Sequence, residues 1–231
     1  MPALNEQDTV RSVVTAVRSE LACDVLVVDD GSSDRTAAEA SAAGALVLQH
    51  PFNLGVGAAL RSGFRVAAAR GYRAAMQVDA DGQHAPEDAR RLLEPVQRGE
   101  ADVVIGSRFA AGYQVGRSRR VAMRLLSKVV SRHLGVVVTD TTSGFRAFSA
   151  DAIARFARSY PSAYLSDTVE ALLLAGDWGL RVQEEAVRMR ARQGGTPSAG
   201  GAMSVVYLAR LLLVVLLHRV RRPALERLQE V

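Results

Sequence analysis

Four short apolar runs, each closed by polar or charged residues, recur through the first half of the chain. They are "DVLVVDD" (24–30), "ALVLQH" (45–50), "AAMQVDAD" (74–81) and "ADVVIGSRF" (101–109). A nearly unbroken apolar run of this length marks a strand covered on both faces, as in a parallel sheet. Helical patterns separate the runs. Asn5 is placed to cap a helix whose Val10, Val13, Val14, Val17 and Leu21 share one face. Ser33 or Asp34 opens a second helix, and Asn53 with Gly55 and Gly57 leads into a third, alanine-rich one (56–70). "APEDARRLLEPVQRG" (85–99) is a fourth, with Pro86 in its first turn and Gly99 past its end. Strands alternating with helices across short loops give an α/β fold, a mostly parallel sheet with helices on both sides. One strand is missing from the pattern. A sheet of this kind normally begins with a strand that feeds the first helix, and nothing precedes Pro2 but Met1.

The second half is less regular. "RSRRVAMRLLSKVVSRHLG" (117–135) reads as a basic amphipathic helix, and "TDTTSGFRAFS" (139–149) as a loop and short strand. A helix near 167–178, a strand through "LRVQEEAVRMRAR" (180–192) and a small-residue loop, "QGGTPSAGGA" (193–202), follow. We therefore expect one catalytic-type domain over residues 1–201 and an apolar, basic helical tail over 202–231. The tail's apolar run, "SVVYLARLLLVVLLH" (204–218), is interrupted by Arg210 and falls short of the roughly 20 residues a span needs. The start, "MPALNEQDTV", has no signal-peptide pattern. A single cysteine, Cys23, excludes an internal disulfide and a cysteine-rich metal site.

Charge is divided along the chain. Residues 1–106 carry a net −5 and residues 107–231 a net +10. The acidic half suits a cation; the basic half suits phosphate or an anionic membrane surface. Nucleic acid is not expected, because the Arg117–Arg132 stripe has no interleaved aromatics and aromatics make up 5% of the chain.

The acids Asp29, Asp30, Asp79 and Asp81 stand at the carboxyl ends of their strands, where open α/β sheets place ligands. Two aspartates that close repel each other and resist desolvation. A hard divalent cation resolves both problems, and carboxylate and amide oxygens suit Mg²⁺ or Mn²⁺. Asp81 and Gln83 can supply oxygens to one ion, with a diphosphate completing the shell. A polar turn with Asp79 as its cap is the alternative for a bare D-x-D. His84 reads more readily as a turn histidine with one hydrogen bond than as a ligand or base. "GVGAALRSG" (55–63) fails as a dinucleotide fingerprint, since Leu60 occupies the third glycine position.

Taken in order, "VVDDGSSDRT" (27–36), "HPFNLGVGAALRSGF" (50–64), "VDADGQHAPED" (78–88), "GSRF" (106–109) and "TSGFRAF" (142–148) resemble the family 2 glycosyltransferases. Within that family the likeness is to the dolichol-phosphate mannosyltransferase and polyprenyl-phosphate glycosyltransferase branch. It runs from "PALNE" to about Ser198. The resemblance implies the GT-A fold, a Rossmann-like sheet. It implies an inverting enzyme that moves mannose or glucose from a GDP- or UDP-hexose to polyprenyl phosphate, with Mg²⁺ or Mn²⁺. The site residues it implies begin with Pro2, Ala3, Leu4 and Glu6 around base and ribose, Asp30 on the base and Ser32 beside it. Asp79 and Asp81 would hold ribose, metal and diphosphate, with Gln83 as a further metal ligand. Arg108 and Arg146 would contact phosphate, as planar guanidinium groups do well. Arg190 or Arg192, and Ser198, would lie in the acceptor loop. Asp167 matches the acidic position that serves as base when the acceptor is a hydroxyl. The implied setting is the cytoplasmic face of a membrane, with peripheral contact through the basic half; a homodimer is allowed for. Two departures stand out: the absent first strand, and Val56 where family members often carry a basic residue. A soluble hydroxyl acceptor, or a degenerate sugar-nucleotide binder, are the alternatives. A sugar-nucleotide pyrophosphorylase would need a glycine-rich basic loop where this chain has "PALNE".

Overall fold

The computed structural model describes residues 1–109, 117–161 and 167–190, with the side chains of 117–122 excepted. The strands are β1 (Pro2–Ala3), β2 (Leu26–Asp29), β3 (Leu46–Gln49), β4 (Ala74–Gln77), β5 (Val103–Ser107), β6 (Arg146–Ser149) and β7 (Val182–Ala186). The helices are α1 (Val10–Leu21), α2 (Thr36–Ala42), α3 (Val56–Ala69), α4 (Ala89–Gln97), α5 (Arg117–Leu134), α6 (Ala150–Ser159) and α7 (Asp167–Asp177).

The strands form two ladders. β1, β2 and β3 are parallel neighbours in that order. The second ladder runs β4-β6-β5-β7, with β6 antiparallel to both its neighbours and β7 parallel to β5. The first strand, expected to be absent, is present as two residues, Pro2 and Ala3, opposite Val28 and Asp29. Proline is tolerated there because it is the first residue of the strand. No pairing joins β2 or β1 to β4.

Side chains alternate across the ladders into two cores. Val103 and Ile105 of β5 enter one core with Phe64, Phe148, Phe156 and Leu172; Val104 enters the other with Val10, Val14, Leu92 and Phe145. Helices α3, α5, α6 and α7 close the first core, and α1, α2 and α4 the second. This is the doubly covered arrangement expected from the strand–helix alternation.

Asn5 does not cap α1. It adopts φ +54°, a left-handed conformation that Asn tolerates, and the helix opens after Thr9. Its side chain instead joins the loops after β1 and β2: Asn5 Oδ1 accepts from Ser33 N (2.9 Å), while Asn5 N donates to Ser32 Oγ (2.9 Å). Glu6 N and Gln7 N extend this zipper to Thr36 Oγ1 and Asp34 Oδ2. The turn between Asp30 and Ser32 has to be glycine. Gly31 sits at φ +79°, and a Cβ there would meet the backbone of Phe52 at 2.5 Å.

Candidate active site

The site is assembled at the carboxyl ends of β1, β2, β4 and β5. The backbone turns there because each strand hands over to a helix, and polar side chains take up the main-chain groups that the ladder leaves.

Asp29 and Asp30 are buried. Asp29 accepts from Ser32 N (3.0 Å) and Gln49 Nε2 (3.2 Å). Asp30 accepts from Leu54 N (3.0 Å) and Gly55 N (2.8 Å), and lies 2.7 Å from His50 Nδ1. The residue expected to meet the nucleobase is therefore the anchor of the 50–55 loop, at 4% exposure. Pro2, Ala3, Leu4, Glu6 and Ser32 do come together beside it, through the loop zipper.

The D-x-D segment follows β4. Asp79 is the open member, its side chain 38% exposed, while Asp81 is 7% exposed. Asp81 Oδ1 accepts from Gln83 N (3.0 Å), which turns the chain and brings Gln83 to the same corner. His84 is buried, stacked on Phe145 at 4.6 Å, and its Nδ1 accepts from Asp79 N (3.1 Å). It thus acts as the turn histidine of the sequence reading, holding the backbone of the first aspartate. Gly144 lies behind: a Cβ added there would sit 2.9 Å from Asp79 Oδ2 and 3.0 Å from Gln77 Nε2.

The segment after β7 closes over this turn. Arg190 N donates to Gln83 O (2.9 Å), and the Arg190 guanidinium pairs with Glu87. Arg188 forms a two-toothed pair with buried Asp88: Nε to Oδ2 at 3.3 Å and Nη2 to Oδ1 at 3.1 Å. Burial opposes ionisation of Asp88, but the hydrogen bonds from Arg188 outweigh it and hold the carboxyl below its ordinary range. Arg192 and Ser198 lie outside the described residues, as does the 202–231 tail.

The two arginines expected at phosphate have different placements. Arg108, 20% exposed at its side chain, grips Asp140 with Nε at 2.7 Å and Nη2 at 2.9 Å, and also reaches Thr142 Oγ1 (2.9 Å). Arg146 is 1% exposed; its Nη1 and Nη2 donate to the carbonyls of Thr168 (2.9 Å) and Thr141 (3.1 Å). In this conformation it is an internal brace joining β6 to α7 and the 139–145 loop, where a phosphate-facing group was expected. Desolvation lowers its pKa, opposed by Tyr160, Asp167, Asp140 and Asp79. Asp167, the expected base, is also buried, and desolvation pushes its pKa up to about 6, with Arg146 pulling the other way. Among the described residues, Gln77 Oε1, Arg146 Nε, Tyr160 Oη and Asp167 Oδ2 are buried without a hydrogen-bond partner.

Gly144, Asp140, Asp88 and Glu184 were not singled out from the sequence. Glu184 accepts from Thr139 N (2.8 Å) and Asp140 N (2.8 Å), and so fixes the loop that carries Arg108's partner. The polar density of "TDTTSG" was the available signal for Asp140; the others belong to pairings 100 residues apart in the case of Asp88 and Arg188.

The residue types suit a hard divalent cation: two carboxylates two residues apart, Asp79 half-open to a ligand, and Gln83 held next to Asp81 through its backbone N–H. Among the described residues no three His, Cys, Asp or Glu side chains converge on a metal.

A mixed sheet covered by helices on both faces, with a D-x-D at the end of β4 beside a zippered loop, is the GT-A glycosyltransferase fold. Residues 1–156 match "Glycosyl transferase family 2", and the chain belongs to that family. It is similar to the polyprenol monophosphomannose synthase of Mycolicibacterium smegmatis, 37% identical over 165 residues, covering 66% of this chain and 61% of that one. It is equally similar to the undecaprenyl-phosphate mannosyltransferase of Micrococcus luteus: 37% over 162 residues, covering 66% of each. These relatives place it in the polyprenyl-phosphate glycosyltransferase branch, and the chain spans about two thirds of their length. Among solved structures it resembles glucosyl-3-phosphoglycerate synthase from Mycobacterium tuberculosis with Mn²⁺, UDP-glucose and phosphoglyceric acid. That match has a TM-score of 0.70 and 27% identity, over 93% of this chain and 77% of that one.

Proposed function

We propose that this protein is an inverting hexosyltransferase that moves mannose or glucose from a GDP- or UDP-hexose to polyprenyl phosphate, working at the cytoplasmic face of a membrane. The observation that carries the reading is the D-x-D segment at the end of β4, with the Asp79 side chain half-open and Asp81 accepting from the backbone of Gln83. Mg²⁺ or Mn²⁺ bound there would neutralise charge growing on the departing diphosphate. Asp81 and Gln83 would hold the ion, and Asp79 would share it with the ribose side. His84 and Gly144 keep the Asp79 carboxylate at its place. Pro2, Ala3, Leu4, Glu6, Asp30 and Ser32 would enclose base and ribose.

In the transfer, an acceptor phosphate oxygen bonds to the sugar's anomeric carbon as the bond to the diphosphate breaks, its electron pair leaving with the diphosphate. A phosphate acceptor is largely ionised near neutral pH, so it needs no strong base. Arg108 and Arg146 would support this step from behind, by fixing Asp140 and the carbonyls of Thr141 and Thr168; Arg190 or Arg192 would contact the acceptor phosphate. The likeness to an enzyme crystallised with phosphoglyceric acid favours one second reading, a small soluble acceptor. Asp167 is then the base. No helix among the described residues is long and apolar enough to cross a membrane. The basic helix α5 and the apolar, basic 202–231 sequence would meet the membrane surface peripherally.

Calorimetry with UDP and GDP, with and without Mn²⁺, on wild type and Asp81→Ala tests the donor side. Metal-dependent binding of one nucleotide, lost in the variant, is expected; no binding by folded wild type removes the proposal. Transfer of labelled hexose into polyprenyl phosphate, against phosphoglyceric acid, decides the acceptor.

A further inference from the structure

The strand order β1-β2-β3 puts β2 in the middle, so the loops that leave β1 and β3 flank the turn that leaves β2. Hydrogen bonds carry the register past the strand ends: Asp30 N donates to Ala3 O (2.9 Å) on one side, and His50 N to Asp29 O (2.8 Å) on the other. Leu4 therefore stands on one side of the Asp30–Ser32 turn, and the loop from His50 to Gly55 on the other. Two close approaches lock the three loops together. Asn5 N donates to Ser32 Oγ (2.9 Å), and the backbone of Phe52 lies so near Gly31 that a Cβ there would be 2.7 Å from Phe52 Cα.

The outside of this corner is apolar. Of the eight large apolar side chains exposed among the described residues, four are here: Leu4, Phe52, Leu54 and Val56, with Phe52 at 63% exposure. Single exposed apolar groups are ordinary, but a cluster of them rimmed by polar groups marks a contact surface. The corner is also held rigidly. Asp30 gives its carboxylate to the loop, accepting from Leu54 N and Gly55 N and pairing with His50 Nδ1. His50 Nε2 in turn lies 3.0 Å from Ser62 Oγ on α3. A surface fixed from beneath in this way loses little further freedom when a ligand covers it.

Two kinds of ligand cover exposed apolar groups at such a place, a planar ring or a lipid surface. Charge decides between them. Residues 36–60 contain no Lys or Arg, and the neighbouring turn carries Asp29, Asp30 and Asp34. A tip that enters an anionic membrane is drawn there by basic flanks, and this one has none. A flat ring needs none, and an aromatic face is the surface it stacks on.

We propose that Phe52 is the stacking face for the nucleobase of the donor, with Leu4 closing on the base from the other side of the Asp30–Ser32 turn. The inference rests on the nucleotide-sugar reading above and adds the residue that grips the base. Aromatic stacking tolerates every base, so Phe52 would give affinity to guanine and uracil alike, and discrimination would fall to the polar groups of the turn. Asp30, with three partners of its own, would act on the base through the loop it holds.

Calorimetry in Mn²⁺ with GDP, UDP and pyrophosphate, which has no base, tests this on wild type, Phe52→Ala and Phe52→Trp. Phe52→Ala should weaken the nucleotide that wild type binds by about tenfold or more while leaving pyrophosphate binding unchanged. Its Tm should move by no more than about 2 °C, because the ring is mostly exposed. Phe52→Trp should keep wild-type affinity, and nucleotide should quench its indole emission where pyrophosphate does not. Trp178, the native tryptophan, packs against Phe156 in the first core, so wild type supplies the blank. Nucleotide affinity unchanged in Phe52→Ala, or pyrophosphate affinity lost to the same degree, would overturn the proposal. So would intact nucleotide affinity in Phe52→Ala together with lost binding to vesicles of phosphatidylglycerol and phosphatidylcholine, which would make the patch a membrane contact. Wild type that binds pyrophosphate but neither nucleotide would remove the donor reading itself, and this inference with it.

Discussion

Replacing Gly144 with alanine tests whether the position of the Asp79 carboxylate governs donor binding. The new Cβ would stand 2.9 Å from Asp79 Oδ2, 3.2 Å from Oδ1 and 3.0 Å from Gln77 Nε2. Carbon and oxygen do not pack that closely, so the carboxylate has to move by several tenths of an ångström. Asp79 is 38% exposed and can swing toward solvent, so the strain should be small. An off-rotamer side chain costs about 0.5–1.5 kcal/mol, which lowers Tm by only about 1–6 °C in a chain of this size. Function should suffer more. A site has to be held to roughly 0.5 Å, and misplacement by an ångström costs on the order of 100-fold. We expect Gly144→Ala to weaken Mn²⁺-dependent nucleotide binding by about 10- to 100-fold, read by calorimetry beside a melting curve. Unchanged affinity with an unchanged Tm would show that the Asp79 position is immaterial. A Tm loss beyond about 10 °C would show that Gly144 is needed for backbone packing rather than for the carboxylate.

Arg108→Ala should destabilise the fold by about 3 kcal/mol, because it strands the fully buried Asp140; Arg108→Lys should recover only part of this, since it lacks the fork. Urea unfolding measures both, and a loss below about 1 kcal/mol refutes the clamp. Asp167→Asn should change the pH dependence of stability. The folded pKa, raised to about 6, means that ionising the buried carboxyl opposes folding. Wild type is relieved of that cost below the unfolded pKa, and loses up to about 3 kcal/mol relative to the variant as pH rises from 4 to 6. A Tm difference that stays constant across that window contradicts the assignment. Arg188→Ala should raise the Asp88 pKa and loosen the turn after the D-x-D, seen as faster amide exchange at Gln83–Asp88 with the cores still protected.

The fold was legible where the chain speaks locally. Strand runs such as Val25–Asp29 carry their own apolar signature, and α1 shows its buried face as Val10, Val13, Val14 and Val17. Asn5 was misleading because its side chain suits a helix cap and a left-handed turn equally well, and only Ser33, brought in from the next loop, decides between them. The two-residue β1 was invisible for the same reason: Pro2 and Ala3 have no periodicity, and are a strand only because Val28 is beside them. In the site, the D-x-D corner was readable, since two carboxylates two residues apart are conspicuous. The burial of Arg146 was not legible, because an arginine's type says nothing about whether it faces solvent. Its burial is set by Thr141 and Thr168, and by a β6 strand whose neighbours lie far along the chain.

The burial of Arg146 has a consequence for the charge of the site. Asp79, Asp140 and Asp167 all act electrostatically on the buried Arg146, and Asp81 lies two residues from Asp79. Among the described residues, Arg108 and Arg146 are the guanidinium groups set against these four acids, and Arg108 is already matched to Asp140. The balance at the corner is negative before any substrate arrives. A nucleotide diphosphate, itself polyanionic, would be repelled by it without a counterion. On the proposed reading, a cation would admit the donor as well as assist its departure. Nucleotide affinity without Mg²⁺ or Mn²⁺ should then rise when Asp79 is changed to asparagine and fall, in the presence of either metal, for the same variant. Calorimetry with EDTA in one arm and Mn²⁺ in the other reads that reversal directly, and a loss of affinity in both arms would mean that Asp79 contacts the nucleotide rather than the ion.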